Sequence, residues 1–178
     1  MIDLAMAFLA SHVRHATGLA SDTLTLRTAR QITDPGTPAG AYLTLINVAE
    51  ERALRNLPHV ERTPAQTSRI EPPVHLNLDV MYAFNFADLD TSLTFLSRTI
   101  EVFQAQRFFD ATTPVAPGGP AFPPQLARLI VEMANLSLEE RNNLWGMMGG
   151  SYLPSVIYRV RLVEVQAAAA VPVSRVET

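Results

Sequence analysis

The sequence predicts an α/β fold of the α+β type, with one mostly antiparallel or mixed sheet of about four to five strands. Two observations carry this prediction. Residues 74–86 alternate between apolar and polar side chains, and residues 2–18 and 90–109 repeat apolar side chains at helical spacing. We therefore expect an N-terminal helix and a long helix near 90–109 to pack against the sheet. With 178 residues, 48% of them hydrophobic, the chain is long enough for one domain with a real core.

The segment Val74–Phe86, VHLNLDVMYAFNF, is the predicted central strand. Because successive side chains of a strand point to opposite faces, its residues separate into an apolar and a more polar set. The even-numbered set is expected to face the core and the odd-numbered set to face solvent or a partner. The first set is Val74, Leu76, Leu78, Val80, Tyr82, Phe84 and Phe86, and the second is His75, Asn77, Asp79, Met81, Ala83 and Asn85.

The chain begins with four segments that are predicted to be regular elements or a turn. Residues 2–18 form an amphipathic helix that ends at Gly18, and residues 23–28 form a short strand. Residues 34–40 are a turn, followed by a strand over 41–50 that pairs antiparallel with the central strand. In that strand the alternation predicts two faces: Tyr42, Thr44, Ile46 and Val48 against Leu43, Leu45 and Asn47.

The next two segments contrast strongly. Residues 58–73 hold four prolines and few large apolar residues, so they are expected to form an exposed connection that is functional or mobile. Residues 90–109 form the clearest helix of the sequence. Its predicted cap is Asp90, Thr91 or Ser92, and its predicted apolar stripe is Leu93, Leu96, Ile100 and Phe103, widened by Phe95 and Val102.

The C-terminal third predicts a loop at 112–124, a segment at 126–133 that fits a strand or a helix and that we assign to a strand, and a strand over 156–165. Between the last two, Ser137 and Glu140 form a capping box that opens a short helix. Gly149–Gly150 is expected to end that helix. We assign residues 1–166 to a single domain and residues 167–178 to a flexible C-terminal tail.

Composition argues against several classes of function. A formal charge of −3 provides no basic field for nucleic acid, and the absence of cysteine excludes thiolate chemistry. The four histidines are scattered, and no phosphate-binding loop or zinc pattern is present, so no catalytic, metal or cofactor residues are predicted. Neither a signal peptide nor a membrane span is predicted, which favours synthesis and assembly in the cytoplasm.

The polar residues of the central strand are the most site-like group. His75 and Asp79 have the side chains of an acid–base pair, but at i and i+4 on a strand they lie roughly 13 Å apart. They are too far apart to hydrogen-bond, and we expect them to face solvent or a partner.

Arginine is the basic residue throughout, since the chain contains no lysine. This usage fits genomic base composition, although arginine also suits planar ion pairs and interfaces. Arg52 and Arg55 follow two glutamates, so they form either local surface pairs or contacts with a neighbouring subunit. Trp145, beside Leu144 and two methionines, is either a core or an interface residue.

Three stretches together resemble the cap, or tail-terminator, protein of extracellular contractile injection systems, which are phage-tail-like particles. The stretches are LINVAEERALRNLPHVE at 45–61, PPVHLNLDVMYAFNFADLDTSLTFLSRTIEVFQAQRFF at 72–109, and LWGMMGGSYLPSVIYRVRLVEV at 144–165. The match covers nearly the whole chain, and the three stretches occur in matching order.

The resemblance implies a structural protein, not an enzyme, that forms a hexameric ring and ends the inner tube and the contractile sheath. Its partners would be copies of itself and the tube and sheath subunits, with release from the cell as part of the particle. Some relatives carry a further C-terminal domain after the last strand. The interface residues we expect lie in the loops and on the last strand: Arg52, Arg55, Arg62, Arg69, Trp145, Tyr152, Arg159 and Arg161.

Two other hypotheses remain at this point. One is a small-molecule or peptide-binding domain without catalysis, which would use the sheet face and the loop 34–40. The other is an enzyme of unfamiliar type built around His75 and Asp79.

Overall fold

A computed structural model describes residues 1–51, 74–149 and 152–165, together with the backbone of three short strands in the remaining segments. The helices are α1 (Ile2–Thr17), α2 (Ala29–Thr33), α3 (Leu89–Ala105) and α4 (Leu138–Met148). The strands are β1 (Leu24–Leu26), β2 (Gly40–Glu50), β3 (Val60–Thr63), β4 (Gln66–Arg69), β5 (Val74–Asn85), β6 (Phe108–Asp110), β7 (Arg128–Met133), β8 (Ser155–Val165) and β9 (Val171–Pro172).

Six of the described strands form one mixed sheet in the order β1-β2-β5-β8-β7-β6. Only β1 runs parallel to its neighbour, and all other pairs are antiparallel. A separate antiparallel sheet contains β3, β4 and β9. The predicted α+β class is confirmed, as are the central position of β5 and its antiparallel pairing with β2. The main sheet has six strands, slightly more than predicted.

The main core lies between the sheet and the two long helices α1 and α3. Leu78, Val80, Tyr82 and Phe84 of β5 all point into it and are at most 1% exposed. Each buried side chain of this size contributes roughly 1.5–3 kcal/mol, so these residues fix the register of the strand. The even-numbered face of β5 is therefore a core face over this stretch, as predicted.

The opposite face of the sheet is divided into two halves. Near the C-terminal end of β5, Met81 and Ala83 are fully buried beneath α2 and α4. The prediction that odd-numbered residues face outward was wrong here, because Ile32 of α2 and Trp145 of α4 cover them, beside Tyr42 of the neighbouring β2. Near its N-terminal end, the same face carries polar side chains.

Bulges on both neighbours of β5 interrupt the alternation. β2 has an extra residue at Ile46, so Leu45 pairs with Val80 and Asn47 with Asp79. Opposite residues share a face, and Asn47 therefore lies on the same side as Asp79. The predicted faces of β2 were wrong beyond Leu45 for this reason. β8 has a similar irregularity. Val160 pairs with Leu78 and Val163 pairs with Leu76, so β8 has one residue more than β5 between these two pairs.

The long helix differs from its prediction at both ends. Asp88 is the N-cap, and its side chain accepts a hydrogen bond from the Thr91 amide at 3.1 Å, so the predicted caps were wrong. The helix ends at Ala105, since Gln106 is extended and the chain enters β6. The buried side includes Thr99, whose hydroxyl donates to the Phe95 carbonyl, whereas Leu93 is 43% exposed.

The other predicted elements are present with shifted ends. Residues 112–124 contain no helix or strand, residues 126–133 include β7, and Ser137 with Glu140 forms the capping box of α4. Gly149 ends α4 with a φ of 75°, a left-handed conformation that glycine adopts without strain. Gly150 lies outside the described residues.

Five elements were not predicted: α2, the two strands β3 and β4 of a hairpin, β6 and β9. α2 has its own capping box, Thr28 with Gln31, but only five residues. β3 and β4 fall in the segment predicted to be a connection, and β9 pairs with β4 from the predicted tail. The exposure and mobility predicted for residues 58–73 fall outside the described side chains, and the flexibility of the tail stays a prediction.

Candidate protein interface

Asp79 and Arg159 lie directly opposite each other on β5 and β8. The guanidinium Nε of Arg159 donates to Oδ1 of Asp79 at 2.8 Å, and its Nη2 donates to Oδ2 at 3.3 Å. Asn47 of β2 adds a third hydrogen bond to the same carboxylate, at 3.2 Å. The hydrogen bond with Asp79 raises the pKa of Arg159. The Asp79 side chain is 16% exposed and that of Arg159 is 53% exposed, so the acid is held while the base remains accessible.

Arg161, two residues further along β8, is the centre of a second group of ion pairs. Its Nη2 lies 3.3 Å from Oε2 of Glu51, and its Nη1 lies 3.6 Å from Oε2 of Glu132 on β7. Asn77 of β5 donates to the same Glu51 oxygen at 3.0 Å. Arg161 is thus shared between carboxylates from opposite sides of the central strand.

The contacts around Arg159 and those around Arg161 form a continuous band across β2, β5, β8 and β7, which we call the charged strip. It contains three carboxylates, two guanidinium groups and two amides. No described helix packs over it, in contrast to the half of the face under α2 and α4. Its members are Asn47, Glu51, Asn77, Asp79, Glu132, Arg159 and Arg161.

The geometry bears on the hypothesis of an acid–base pair. Asp79 binds Arg159 and Asn47, and neither of these side chains accepts or releases a proton readily at neutral pH. His75 is half-buried further along β5, opposite Glu164 in the register. No contact between His75 and Asp79 occurs in the described part of the chain. The two residues therefore belong to a polar surface, and they do not form a catalytic pair there.

The predicted aromatic candidates occupy different environments. Trp145 of α4 is 4% exposed and packs against Ile32, Met81 and Ala83 in the smaller core on this face of the sheet, which we call the second core. Tyr152 is 55% exposed, and its ring meets that of Trp145 edge to face at 5.6 Å between centroids. Tyr152 is therefore the accessible member of the pair, and Trp145 supports it from below.

The predicted arginine candidates are only partly described. Arg159 and Arg161 share the charged strip. Arg62 and Arg69 lie on β3 and β4, where only the backbone is described. Arg52 and Arg55 lie outside the described residues, so all four keep their status as predictions. Sequence reasoning missed three members of the strip: Asn47 on β2, Glu51 just after β2 and Glu132 on β7. Only the folded sheet brings them beside Arg159 and Arg161.

The described residues contain no group of three or more histidine or acidic side chains that could hold a metal ion. Among these residues, no helix combines the length and the apolarity that crossing a membrane would require. What the structure offers is a stable α+β domain with a doubly covered half-sheet and an open, charged half-sheet. The open half-sheet is the candidate interface of this α+β domain.

The chain belongs to the Pvc16 N-terminal domain family, whose model matches residues 6–178. This confirms the family resemblance drawn from the sequence. No curated protein matches the chain.

Two solved structures share the fold. One is the sheath/tube terminator, in the extended state, of an extracellular contractile injection system called PVC. It is similar to the chain with a TM-score of 0.64 at 16% identity, over 100% of this chain and 62% of that one. The other is the tube-terminating cap of the anti-feeding prophage, with a TM-score of 0.67 at 12% identity, over 100% of this chain and 59% of that one. The chain therefore spans about three fifths of the length of these two proteins.

Proposed function

We propose that the chain forms a ring, most simply a homohexamer, that caps and ends the inner tube and contractile sheath of a phage-tail-like injection particle. The observation that carries this proposal is the similarity of the whole chain to two terminator proteins of such particles, together with its family. A small-molecule or peptide-binding domain is not favoured by these relatives.

The role is structural and involves no catalysis. The acidic and basic groups of the charged strip form ion pairs across the strands. Because these pairs hold the side chains in fixed positions, the strip is suited to recognition of a partner. Charged groups at an interface contribute more to specificity and register than to raw affinity. We therefore assign the strip, and Tyr152 beside the second core, to contacts with the neighbouring subunit or with the tube and sheath.

The place of action follows from this role. Ring, tube and sheath assemble in the cytoplasm, and the finished particle carries the cap out of the cell. We assign the capping role to residues 1–166.

The test is the mass and shape of the purified full chain, alone and with tube subunits, by light scattering and electron microscopy. We expect six-fold rings, and binding of the chain at one end of the tube. A strict monomer at high concentration that also leaves tube ends bare would contradict the proposal.

A charge exchange tests the strip itself. The double variant Asp79→Arg with Arg159→Asp keeps an ion pair within the monomer but reverses the charges that a partner meets. We expect an unchanged thermal unfolding midpoint and loss of ring formation or tube binding. The matched control is Arg30→Glu, which alters an exposed arginine of α2 outside the strip and should leave assembly intact. Normal assembly of the double variant would remove the strip from the interface.

Charge reversal at Arg52 and Arg55 tests the predicted loop contacts. The double variant Arg52→Glu with Arg55→Glu should lower the yield of rings while leaving the monomer soluble and folded, because both residues begin a long connection. Equal loss of soluble monomer and of rings would assign these arginines to folding instead of assembly.

A further inference from the structure

A cavity of about 200 Å³ opens where β7 ends and β8 begins, between α3 and the first turn of α4. Pockets that take whole small molecules usually hold about 300–1,000 Å³, so this cavity has the size for a single side chain. No residue of the charged strip lines it, and it is therefore a surface that the proposed interface does not use. Its apolar walls are Leu96, Ile100, Met133, Leu136, Val156 and Ile157.

The cavity continues along α3 as an exposed apolar stripe. Leu89, Leu93, Leu96 and Ile100 follow one another at spacings of four, three and four residues, which places them along one side of the helix. The last two line the cavity, whereas Leu89 is 61% and Leu93 is 43% exposed. The stripe thus leads from the open surface into the cavity.

Arg141, in the first turn of α4, brings an unpaired charge to this cavity. It is half-buried, and within the described part of the chain its guanidinium has no hydrogen-bond or ion-pair partner. The preceding acid, Glu140, is engaged with Ser137 in the capping box. The other arginines with described side chains donate a hydrogen bond or lie over an aromatic ring, except for the exposed Arg30. A half-buried guanidinium without a partner is best matched by a carboxylate.

The start of β8 offers backbone groups to the same cavity. β7 ends at Met133, opposite Tyr158, and the Ala134 amide donates to the Ile157 carbonyl at 2.9 Å. Two residues earlier on β8, Ser155 pairs with β5 on one side, and no described strand lies on its other side. Alternate residues of a strand direct their backbone groups to the same side, so Ser155 can pair with an extended segment in the cavity.

We propose that this cavity docks an extended acidic segment of a partner protein, in which an apolar side chain is flanked by carboxylates. The apolar side chain fills the cavity, a flanking carboxylate binds Arg141, and the backbone pairs with Ser155. Addition of an extended segment at an open strand position is a common mode of peptide recognition. This inference goes beyond the proposed ring and does not depend on it.

A second copy of the chain is a less suitable occupant. Its edge strands in the main sheet are β1 and β6. The Leu24 carbonyl accepts from Arg14 at 3.4 Å, and the Asp110 amide donates to the Thr113 hydroxyl at 2.8 Å. Because these backbone groups are engaged within their own subunit, neither described edge is free to enter the cavity of a neighbour.

The test uses a fluorescently labelled Asp-Leu-Asp peptide with an amidated C-terminus, and Asn-Leu-Asn as its neutral match. Anisotropy titration of the full chain at neutral pH measures both dissociation constants. We expect the acidic peptide to bind about tenfold more tightly, because hydrogen bonds to a charged group are stronger than those between neutral groups. An acidic peptide with photo-leucine at its centre should cross-link to residues 133–136 or 155–157, as mapped by mass spectrometry.

Three variants identify the group that recognises the carboxylate. Arg141→Gln should bind both peptides alike, and Arg141→Lys should keep part of the preference because it retains the charge. Arg30→Gln removes the exposed, unpaired arginine of α2 and is the matched control, which should bind as the wild type does.

Four results would each overturn the proposal: no saturable binding, equal affinity of the wild type for the two peptides, an intact preference in Arg141→Gln, or cross-links outside the cavity. Dissociation of oligomers by the acidic peptide, measured by light scattering, would place a second copy in the cavity and would overturn it as well. Because peptide binding needs no ring, these outcomes are distinct from a failure of ring formation.

Discussion

The two faces of the main sheet use the same strands in different ways. On the face toward α1 and α3, β5 contributes fully buried side chains such as Tyr82 and Phe84. On the other face, Met81 lies in a smaller core, while Asp79 two residues away joins the charged strip. The first face holds the fold together. The second combines a stabilising half with the half that we propose for recognition, and variants on each should separate these tasks.

The largest effects are expected from truncation on the buried faces. Phe84→Ala should lower the free energy of unfolding by about 3–5 kcal/mol, and Met81→Ala on the opposite face by about 2–5 kcal/mol. Urea unfolding followed by circular dichroism measures both. Val74→Ala, at a position 42% exposed on the same strand, is the control and should change stability by about 0.5 kcal/mol or less. A negligible loss for Met81→Ala would mean that α2 and α4 do not form a true second core.

A medium effect is expected at the start of α4. Ser137→Ala removes the side chain that accepts from the Glu140 amide, and should cost about 1 kcal/mol. Thermal unfolding of this variant is compared with that of Ser97→Ala, whose exposed hydroxyl bonds only its own helix. If the two variants have the same thermal unfolding midpoint, the Ser137 cap does not contribute to the stability of the domain.

A small effect on folding is expected in the charged strip. Arg159→Ala breaks the pair with Asp79, but the arginine is largely exposed, so the loss should be about 0–1 kcal/mol. Ring or tube binding should weaken much more than stability does. A loss of several kcal/mol in urea unfolding would show that the strip holds the sheet together.

The smallest effect near neutral pH is expected in the main core. Among the described residues, the buried hydroxyls of Tyr82 and Tyr158 have no hydrogen-bond partner, so Tyr158→Phe should be neutral or slightly stabilising. Burial raises the pKa of Tyr158 to about 12. Its raised pKa favours the neutral form in the folded state, so stability is full below about pH 10 and is lost as the pH rises toward the folded value. The variant should therefore lose less stability than the wild type in unfolding measured between pH 9 and 11, and an equal loss would place the titrating group elsewhere.

Much of this architecture can be predicted from local patterns. The alternation over 74–86 identifies the central strand because the period of two reports on burial directly. The Ser137–Glu140 box marks the start of α4 because both partners lie within one helical turn. The pairing of residues 41–50 with β5 follows from two long half-apolar strands.

The errors arise where one element depends on another. Met81 and Ala83 look like an outer face until α2 and α4 are placed over them, and α2 is too short to show helical periodicity. The Thr28–Gln31 box was the one signal that indicated it. Phe108 and Phe109 continue the helical pattern in sequence, yet pairing with β7 takes them into β6.

The candidate site shows the same division. Arg159 and Arg161 were selected from a strand pattern, and both lie on the charged strip. Asn47 could not be assigned, because the bulge at Ile46 reverses the alternation that a sequence reader extends along β2. Identifying the charged strip therefore requires the register of four strands as well as the residue types on each strand.

The bulge at Ile46 also has a consequence for how chain length can vary among homologues. Removing almost any residue of a strand reverses the faces of every residue on one side of the deletion. Deleting Ile46 would instead leave Leu45 opposite Val80 and Asn47 opposite Asp79, as they are now. A homologue one residue shorter in β2 is therefore expected to carry its gap at this position, with both cores and the charged strip preserved.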